Sequence, residues 1–547
     1  MNHVEIVSLS LVLLMAVVVS SAVARMVPFA IPAPIVQIAA GAIIGLSVDI
    51  RVTLDPELFF YLFLPPLLFL DGWRIRKDGL FRDAKIVVEL ALVLVVVTVI
   101  GAGYLIHWML PLMPLPVAFA LAAVLSPTDP IAVSAIAART PIPKRMMHIL
   151  EGEALFNDVS GLVCLRFAIA AALTGHFSLQ GAAFGFVWAA GAGLGLGIAV
   201  TLVVIRAKGW FTARFGEESG SQIVVSLLIP FGAYLLAERV GASGIMAVVA
   251  AGVTMNFAEA SRQVLPATRM RRNSVWDTIQ FAGNGIIFVL LGEQFPAIVS
   301  RAVRTVASAG HLSPWWLAIY VASITAGLTV LRFAWVWTSL RLTPLHKQEG
   351  RSVRSGDLRL VSAMSVAGVR GAITLAGILT LPLVLSDGRP FPARELAIFM
   401  AAGVILLSLL LATIALPILL RDLEMPSEPA TIVAEDRTRV ALSRAALVAI
   451  ERKREEFTGG QDDDGGFDHA AERVASLYRE RITARSHSGS AALAERHLES
   501  IERGLRLTAV AAQREELSRL IQAHEINHDL AQKLLRELDL LEIRYRA

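Results

Sequence analysis

Six ionisable residues lie inside long apolar stretches of this 547-residue sequence, namely Asp129, Glu153, Asp158, Arg166, Arg332 and Arg370. An ionisable group in the interior of a bilayer is costly unless it is paired or hydrated, and it usually marks an ion or proton pathway. A structural ion pair between two helices would explain one such group. Six of them at related depths favour a pathway.

The first of three polar clusters is the run Ser126-Pro127-Thr128-Asp129-Pro130. Two prolines so close together must interrupt a helix, because each removes a donor and clashes with the preceding turn. A break at membrane depth exposes backbone groups, which is tolerated only where they line a cavity, and such ends can coordinate a small cation. Thr128 adds a hydroxyl and Asp129 a carboxylate. A kink needed only for packing does not explain an acidic residue between the prolines.

The second cluster is the run Glu153-Ala154-Leu155-Phe156-Asn157-Asp158. Helical spacing places Glu153 and Asn157 on one face, with Asp158 turned about 100° further. The two carboxylates therefore point in different directions. One can be locked in an ion pair while the other exchanges a proton for a cation. Oxygen ligands of this kind suit a hard cation.

The third cluster is the run Gly368-Val369-Arg370-Gly371-Ala372. Small residues on both sides of an arginine let a neighbouring helix approach closely. Arg370 needs a carboxylate partner at this depth, and we expect Glu153 to supply it. Arg332 is a possible accessory residue that either anchors a carboxylate or lines a vestibule. Arg166 is expected to extend to the membrane surface.

The elements that position these clusters are apolar helices. The composition is 55% hydrophobic and 18% charged, which excludes an ordinary soluble protein and a largely disordered chain. Cys164 is the single cysteine, so no disulfide can form within the chain.

A spanning helix needs about 20 largely apolar residues. The candidate spans are 5–24, 29–46, 57–70, 86–110, 115–138, 147–174, 182–205, 221–238, 242–259, 276–292, 314–340, 359–384 and 395–420.

We therefore predict an all-α polytopic membrane protein with about 13 transmembrane helices, residues 1–420, followed by a helical tail, residues 421–547. The first part carries 30 Lys and Arg against 22 Asp and Glu, and the second carries 20 against 24. Basic residues concentrate in alternate loops, and such loops face the cytoplasm. This pattern predicts a plasma-membrane protein with its N-terminus outside and its tail in the cytoplasm.

One motif suggests an enzyme instead. The tail run His524-Glu525-Ile526-Asn527-His528 matches the H-E-x-x-H pattern of zinc proteases. A third ligand is not evident and the tail is rich in histidine, so we interpret the run as a solvated face. We expect no enzymatic activity, no catalytic residue, no cofactor, no metal beyond a transported cation, and no nucleic-acid partner.

The three clusters together resemble those of the monovalent cation:proton antiporter-1 family, the sodium/proton exchangers. The resemblance covers about residues 5–420, and the clusters occur in family order at family-like spacing. It is carried by Thr-Asp-Pro at 128–130, Glu-x-x-x-Asn-Asp at 153–158 and Gly-x-Arg-Gly-Ala at 368–372, together with Phe63-Leu64-Pro65-Pro66-Leu67-Leu68 and Ser243-Gly244-Ile245. The bacterial exchangers with a helical cytoplasmic tail are the most similar group.

The resemblance implies a homodimer with inverted-repeat topology and broken helices at the midplane of the bilayer. It also implies exchange of sodium or lithium for protons by alternating access, in the service of ion transport and pH homeostasis. A potassium/proton antiporter of the same fold is the alternative. An ion channel would need a continuous pore rather than an occluding carboxylate site.

The resemblance also assigns roles to individual residues. Asp158 would bind cation and proton in turn, with Thr128 and Asp129 helping to form the cation site. Asn157 stands where electrogenic relatives have a second aspartate, which implies electroneutral exchange. Glu153 and Arg370 would form the structural ion pair. Ala154 departs from the family pattern, because many relatives have a serine there.

Overall fold

The fold is helical throughout the residues that the computed structural model describes. These are residues 3–26, 31–47, 61–75, 84–137, 142, 144–175, 179–216, 218–260, 266–308, 315–342, 355–385, 388–421, 429–457, 466–486, 490–523 and 525–546. Apart from an isolated β-bridge between Val384 and Pro390, their regular secondary structure is helix. The chain forms two compact units, Met1–Leu423 and Glu424–Ala547.

The first unit contains sixteen labelled α-helices among its described residues. They are α1 (His3–Met26), α2 (Ala33–Ser47), α3 (Leu64–Arg74), α4 (Ala84–Val88), α5 (Leu94–Met109), α6 (Leu115–Leu125), α7 (Pro130–Ala137), α8 (Lys144–Thr174), α9 (Leu179–Phe215), α10 (Ser219–Arg239), α11 (Gly244–Ala260), α12 (Pro266–Ser308), α13 (Trp315–Leu342), α14 (Ser355–Val366), α15 (Ala372–Leu379) and α16 (Arg394–Leu420). A π-helical turn, Glu89–Val93, joins α4 to α5.

Some of the expected spans correspond to helices that are clearly long enough to cross a membrane. By length and composition alone, seven helices in the described part of the chain could cross a membrane. Two expected spans are each interrupted: 115–138 contains α6 and α7, and 359–384 contains most of α14 and all of α15. The total of thirteen spans stays a prediction. The helix α12 is longer than its expected span of 276–292, so Arg269 and Arg271, expected in a loop, lie in its first turns.

Packing divides the helices of the first unit into two bundles. Helices α1–α3 and α9–α12 pack mainly against one another and form what we call the scaffold bundle. Helices α4–α8 and α13–α16 form the second, which we call the crossing bundle because it contains both interrupted spans. The bundles meet chiefly where α12 packs on α16, and more lightly where α8 packs on α3 and α11.

The most extensive contact in the scaffold bundle is between α2 and α12. A Cβ atom at Gly41 would overlap the carbonyl oxygen of Val289, and one at Gly292 would overlap that of Ile38. Each glycine thus lets the backbone of the other helix approach, as small residues do between helices in membranes. This contact fixes α12, which also contributes residues to the site described below.

The second unit consists of four helices: α17 (Pro429–Phe457), α18 (Gly466–Ser486), α19 (Ser490–Gln522) and α20 (His528–Arg546). Helix α17 pairs with α18, and α19 pairs with α20. An ion pair of 2.5 Å joins Arg514 of α19 to Asp539 of α20. Of the protease-like run, His524 lies outside the described residues.

Replacing Gly41 or Gly292 with alanine should lower the thermal midpoint and the folded yield, because the added methyl group must push two helix backbones apart. Overpacking of this kind costs about 1–3 kcal/mol. Size-exclusion chromatography of heated, detergent-solubilised protein measures the effect. Gly232→Ala in α10 is the control, since no atom lies within 4 Å of the position of its added Cβ. Equal stability of the three variants would contradict this account of the contact.

Candidate functional site

The two interrupted spans cross each other at their breaks. Helix α6 ends at Leu125 and α7 begins at Pro130, while α14 ends at Val366 and α15 begins at Ala372. The backbone N–H of Asp129, in the first break, donates to the carbonyl of Val369, in the second, at 2.7 Å. The prolines at 127 and 130 force the first break, as the sequence predicts.

Gly371 allows the two breaks to come this close. A Cβ atom at this position would overlap the carboxylate of Asp129, so any other residue would displace that carboxylate. The Asp129 side chain therefore lies against the backbone that leads into α15. The N-terminal end of a helix carries partial positive charge, which favours a carboxylate there.

Arg370 lies near the C-terminal ends of α6 and α14, which carry partial negative charge. Its Nε atom donates to the carbonyl of Leu125, the last residue of α6, at 2.8 Å, and its guanidinium also donates to the carbonyl of Gly368. Carbonyl groups at a helix end have no partner within the helix. Arg370, which is 4% exposed, supplies that partner at membrane depth.

Glu153 pairs with Arg332, and the expected pair of Glu153 with Arg370 is wrong. The Nη1 and Nη2 atoms of Arg332 lie 2.5 and 2.6 Å from the two carboxylate oxygens of Glu153. Both side chains are buried, at 4% and 1% exposure. Arg332 also donates to the carbonyl of Met364 near the end of α14, at 3.0 Å. Arg370 is instead occupied by backbone carbonyls, which sequence spacing cannot reveal.

A short hydrogen-bond network connects this ion pair to the first break. Thr128 donates its hydroxyl to Glu153 at 3.2 Å and accepts from the amide of Asn157 at 3.0 Å. Glu153 and Asn157 thus share a face of α8, as their spacing predicts. The network holds the Thr128 hydroxyl against the face of α8 that carries Glu153 and Asn157. The side chain of Asp158 takes no part in it.

A cavity of about 330 Å³, which we call the first cavity, lies beside the crossing, between the two bundles. Thr128, Asp129 and Asp158 of the crossing bundle line it, opposite Asp71 of the scaffold bundle. Three aspartates therefore converge on one space. Glu153 and Asn157 are not among its lining residues. A hard cation or a proton is the partner that such a group of carboxylates favours.

Asp158 differs from Glu153 in its contacts. No ion pair or hydrogen bond joins the Asp158 carboxylate to another side chain in the part of the chain that the structure describes. The neighbouring charges that act on it are those of Asp129 and Asp71. Asp158 is 7% exposed and lines the first cavity, so its carboxylate is shielded and yet accessible to a small ion.

Asp71 is not among the candidate site residues of the sequence analysis, because it follows directly on the expected span 57–70. The helix α3 begins at Leu64, with prolines in its first turn, and Asp71 comes two turns later on the face toward the first cavity. Asp71 follows directly on an apolar run and lies one turn before the end of α3, so its position in the sequence alone does not reveal that it faces a cavity.

A second cavity of about 1,120 Å³ lies along the other half of α8, lined by Leu162, Val163 and Arg166 together with Tyr234 and Glu238 of the scaffold bundle. Asp158 lines the first cavity and the adjacent Val159 lines the second, so the two approach each other at one point of α8. Arg166 is exposed at the second cavity and pairs with Glu238 at 3.2 Å. It therefore has a partner, in addition to the surface exposure expected for it.

Comparisons with known proteins concern the chain as a whole. Residues 11–422 match the family model described as sodium/hydrogen exchanger, transmembrane. The chain is 41% identical to an uncharacterized Na(+)/H(+) exchanger of Escherichia coli, over 98% of each chain. It is 38% identical to a sodium, potassium, lithium and rubidium/H(+) antiporter of Bacillus pumilus, over 99% of this chain and 78% of the relative.

The fold is similar to that of a solved structure, the sodium proton antiporter MjNhaP1 of Methanocaldococcus jannaschii. The TM-score is 0.58 at 20% identity, and the match covers 76% of this chain and 99% of that one. These matches confirm the all-α membrane-antiporter fold and the resemblance found in the sequence. The chain belongs to the sodium/hydrogen exchanger family, whose members are transporters and not enzymes.

Proposed function

We propose that this protein exchanges sodium or another monovalent cation for protons across the plasma membrane, with Asp158 as the carboxylate that binds either ion. One contrast carries the proposal. Glu153 is locked by Arg332 and by Thr128, whereas Asp158, five residues later on the same helix, has no such partner among the described side chains. A carboxylate that must bind two ions in turn cannot also be held by an arginine.

The proposed cation site combines Asp158 with Asp129 and Thr128, as the sequence suggests, and adds Asp71. All four line the first cavity. Asn157 contributes indirectly, because its amide is donated to Thr128 and so fixes the hydroxyl beside the cavity. Arg332, Glu153 and Arg370 serve as structural groups that hold the crossing in shape.

The position of the two cavities supports alternating access. Each is lined by residues of both bundles, and they approach each other at Asp158 and Val159 of α8. Movement of the crossing bundle past the scaffold bundle would close the first cavity and open the second to Asp158. Only a carboxylate neutralised by a proton or a cation crosses the apolar contact between the bundles readily.

The proposed orientation places the first cavity toward the cytoplasm. Arg74 at its edge adjoins a loop that the charge pattern predicts to be inside, whereas Arg394 at the second cavity belongs to a segment predicted to be outside. Helix α16 runs from Arg394 to Leu420, so the tail that follows would be cytoplasmic. The homodimer is proposed on the family resemblance alone.

Potassium/proton exchange is a second candidate. Two relatives, from Bacillus pumilus and Bacillus subtilis, carry names that include potassium and rubidium, and they are 38% and 37% identical to this chain. Ala154 lines the first cavity without adding an oxygen ligand. A site with fewer fixed oxygen ligands selects less strongly among cations of different radius.

Asp158→Asn should abolish cation-dependent proton movement in everted membrane vesicles while leaving folded yield near that of the wild type. The amide keeps the shape of the side chain but cannot exchange a proton. Dequenching of a pH-gradient dye on addition of sodium is the readout. Glu218→Gln, at an exposed carboxylate before α10, is the control and should transport normally. Sodium-dependent proton movement by the Asp158→Asn protein would refute the assignment.

Cation preference and stoichiometry are tested together in proteoliposomes with sodium, lithium, potassium and rubidium. We expect saturable exchange with sodium and lithium, and a rate that does not change when a membrane potential is imposed. If one carboxylate is neutralised each time the site crosses the membrane, one cation is exchanged for one proton. A potassium response at least as strong as the sodium response would favour the second candidate, and a voltage-dependent rate would rule out electroneutral exchange.

Glu153→Gln and Arg332→Gln should each lower the thermal midpoint strongly, because each leaves a buried charge without its partner. Removing one member of a buried ion pair costs about 3–5 kcal/mol. The double variant Glu153→Gln/Arg332→Gln should recover part of this loss. The matched comparison is Glu153→Gln/Arg370→Gln, which should not recover. Recovery with Arg370 instead of Arg332 would contradict the observed pairing.

A further inference from the structure

Arg74 places a positive charge at the edge of the first cavity. It lies three residues after Asp71 on α3, so the two side chains are neighbours on one helix face. Arg74 lines the first cavity together with Asp71 and Glu151, and it is near enough to Asp71 for the two charges to attract each other. A guanidinium binds carboxylates strongly and in a fixed geometry. It is therefore a built-in competitor for any cation that enters this cavity.

The structure shows Arg74 bound elsewhere. Its Nη2 atom lies 2.5 Å from a carboxylate oxygen of Asp277, and its Nη1 atom donates to the side-chain oxygen of Gln280 at 2.8 Å. Both partners belong to α12 and are three residues apart, so they hold the two arms of the guanidinium from one helix face. The guanidinium of Arg74 is thereby bound to α12, and it forms no ion pair with Asp71 among the described residues.

This contact is not what holds α3 against α12. Phe69 and Trp73 of α3 pack on the fully buried Trp276 of α12, with ring centroids 5.4 and 6.1 Å apart. Arg272 of α12 stacks over the ring of Trp73 at 4.7 Å. The Arg74–Asp277 pair is exposed, at 39% and 64%, and exposed ion pairs add little stability. The Arg74–Asp277 pair therefore acts mainly by setting the direction in which the Arg74 side chain extends.

We propose that Asp277 and Gln280 are positioning residues that keep Arg74 from pairing with Asp71 in the first cavity, so that a transported cation does not compete with Arg74 for that carboxylate. This inference rests on the proposed function of the cavity. Without Asp277, the Arg74 side chain turns toward Asp71 and Glu151 and competes with the cation. Competition of this kind raises the apparent KM for the cation and leaves the maximal rate unchanged.

The test is the dependence of exchange rate on sodium concentration in everted vesicles, where added sodium meets the face proposed to be cytoplasmic. We expect Asp277→Asn to raise the apparent KM about two- to fivefold, the range that an exposed ion pair supports. Arg74→Gln should leave KM equal to or below the wild-type value. The double variant Arg74→Gln/Asp277→Asn should match Arg74→Gln, and Asp277→Glu should stay close to the wild type.

The tail offers a matched control. Arg514 and Asp539 form a pair of the same length, 2.5 Å, with exposures of 39% and 59%, and they are remote in sequence from the first cavity. Asp539→Asn removes an equivalent pair and should not change KM.

Three results would overturn the positioning role. They are an unchanged KM in Asp277→Asn, a lower maximal rate at unchanged KM, and a rise in KM of equal size in the Arg74→Gln background. The last would mean that Asp277 itself attracts the cation. Failure of the proposed function is distinct, because it appears as exchange by Asp158→Asn, whereas failure of this inference leaves Asp158→Asn inactive.

Discussion

The structure depends on the crossing of two interrupted helices at a depth where water cannot satisfy their backbone groups. Breaks of this kind are stable in a membrane only if protein groups take the place of water. Here the N–H of Asp129 bonds to Val369, and Arg370 and Arg332 donate to carbonyls of Leu125 and Met364. The arginines are thus structural replacements for solvent. Their charge must in turn be balanced, which is why Glu153 is buried beside them.

That balance determines what each carboxylate can do. Glu153 is engaged on both oxygens by Arg332, and it fixes Thr128 as well. Its position is therefore defined and its charge is neutralised within the protein. Asp158 lies on the same helix but faces the first cavity, where its nearest charged neighbours are carboxylates. Two acidic residues of one helix thus have different roles, since Glu153 stabilises the structure and Asp158 is a candidate ion site.

Contacts between helices are distributed unevenly in the first unit. Contacts inside each bundle are extensive, as in the glycine-mediated packing of α2 on α12, whereas contacts between the bundles are fewer and concentrated at α12 and α16. Both cavities lie between the bundles. A site built from residues of both, such as Asp158 and Asp71, changes its surroundings whenever one bundle moves relative to the other. The Arg74–Asp277–Gln280 contact lies within the scaffold bundle and would not depend on that movement.

The amino-acid sequence by itself determined the helical membrane class, the first break and the face shared by Glu153 and Asn157. It also singled out Thr128, Asp129 and Asp158, which line the first cavity. These features depend on local physical chemistry: apolar length, the missing N–H of proline and the period of a helix. Only the tertiary structure decided which arginine pairs with Glu153, and that Asp71 joins the first cavity. Arg332 and Glu153 are 179 residues apart, and Arg370 carries the same charge. Both arginines donate to carbonyls near helix ends, but only Arg332 also directs both Nη atoms to Glu153, and that geometry exists only after the helices cross.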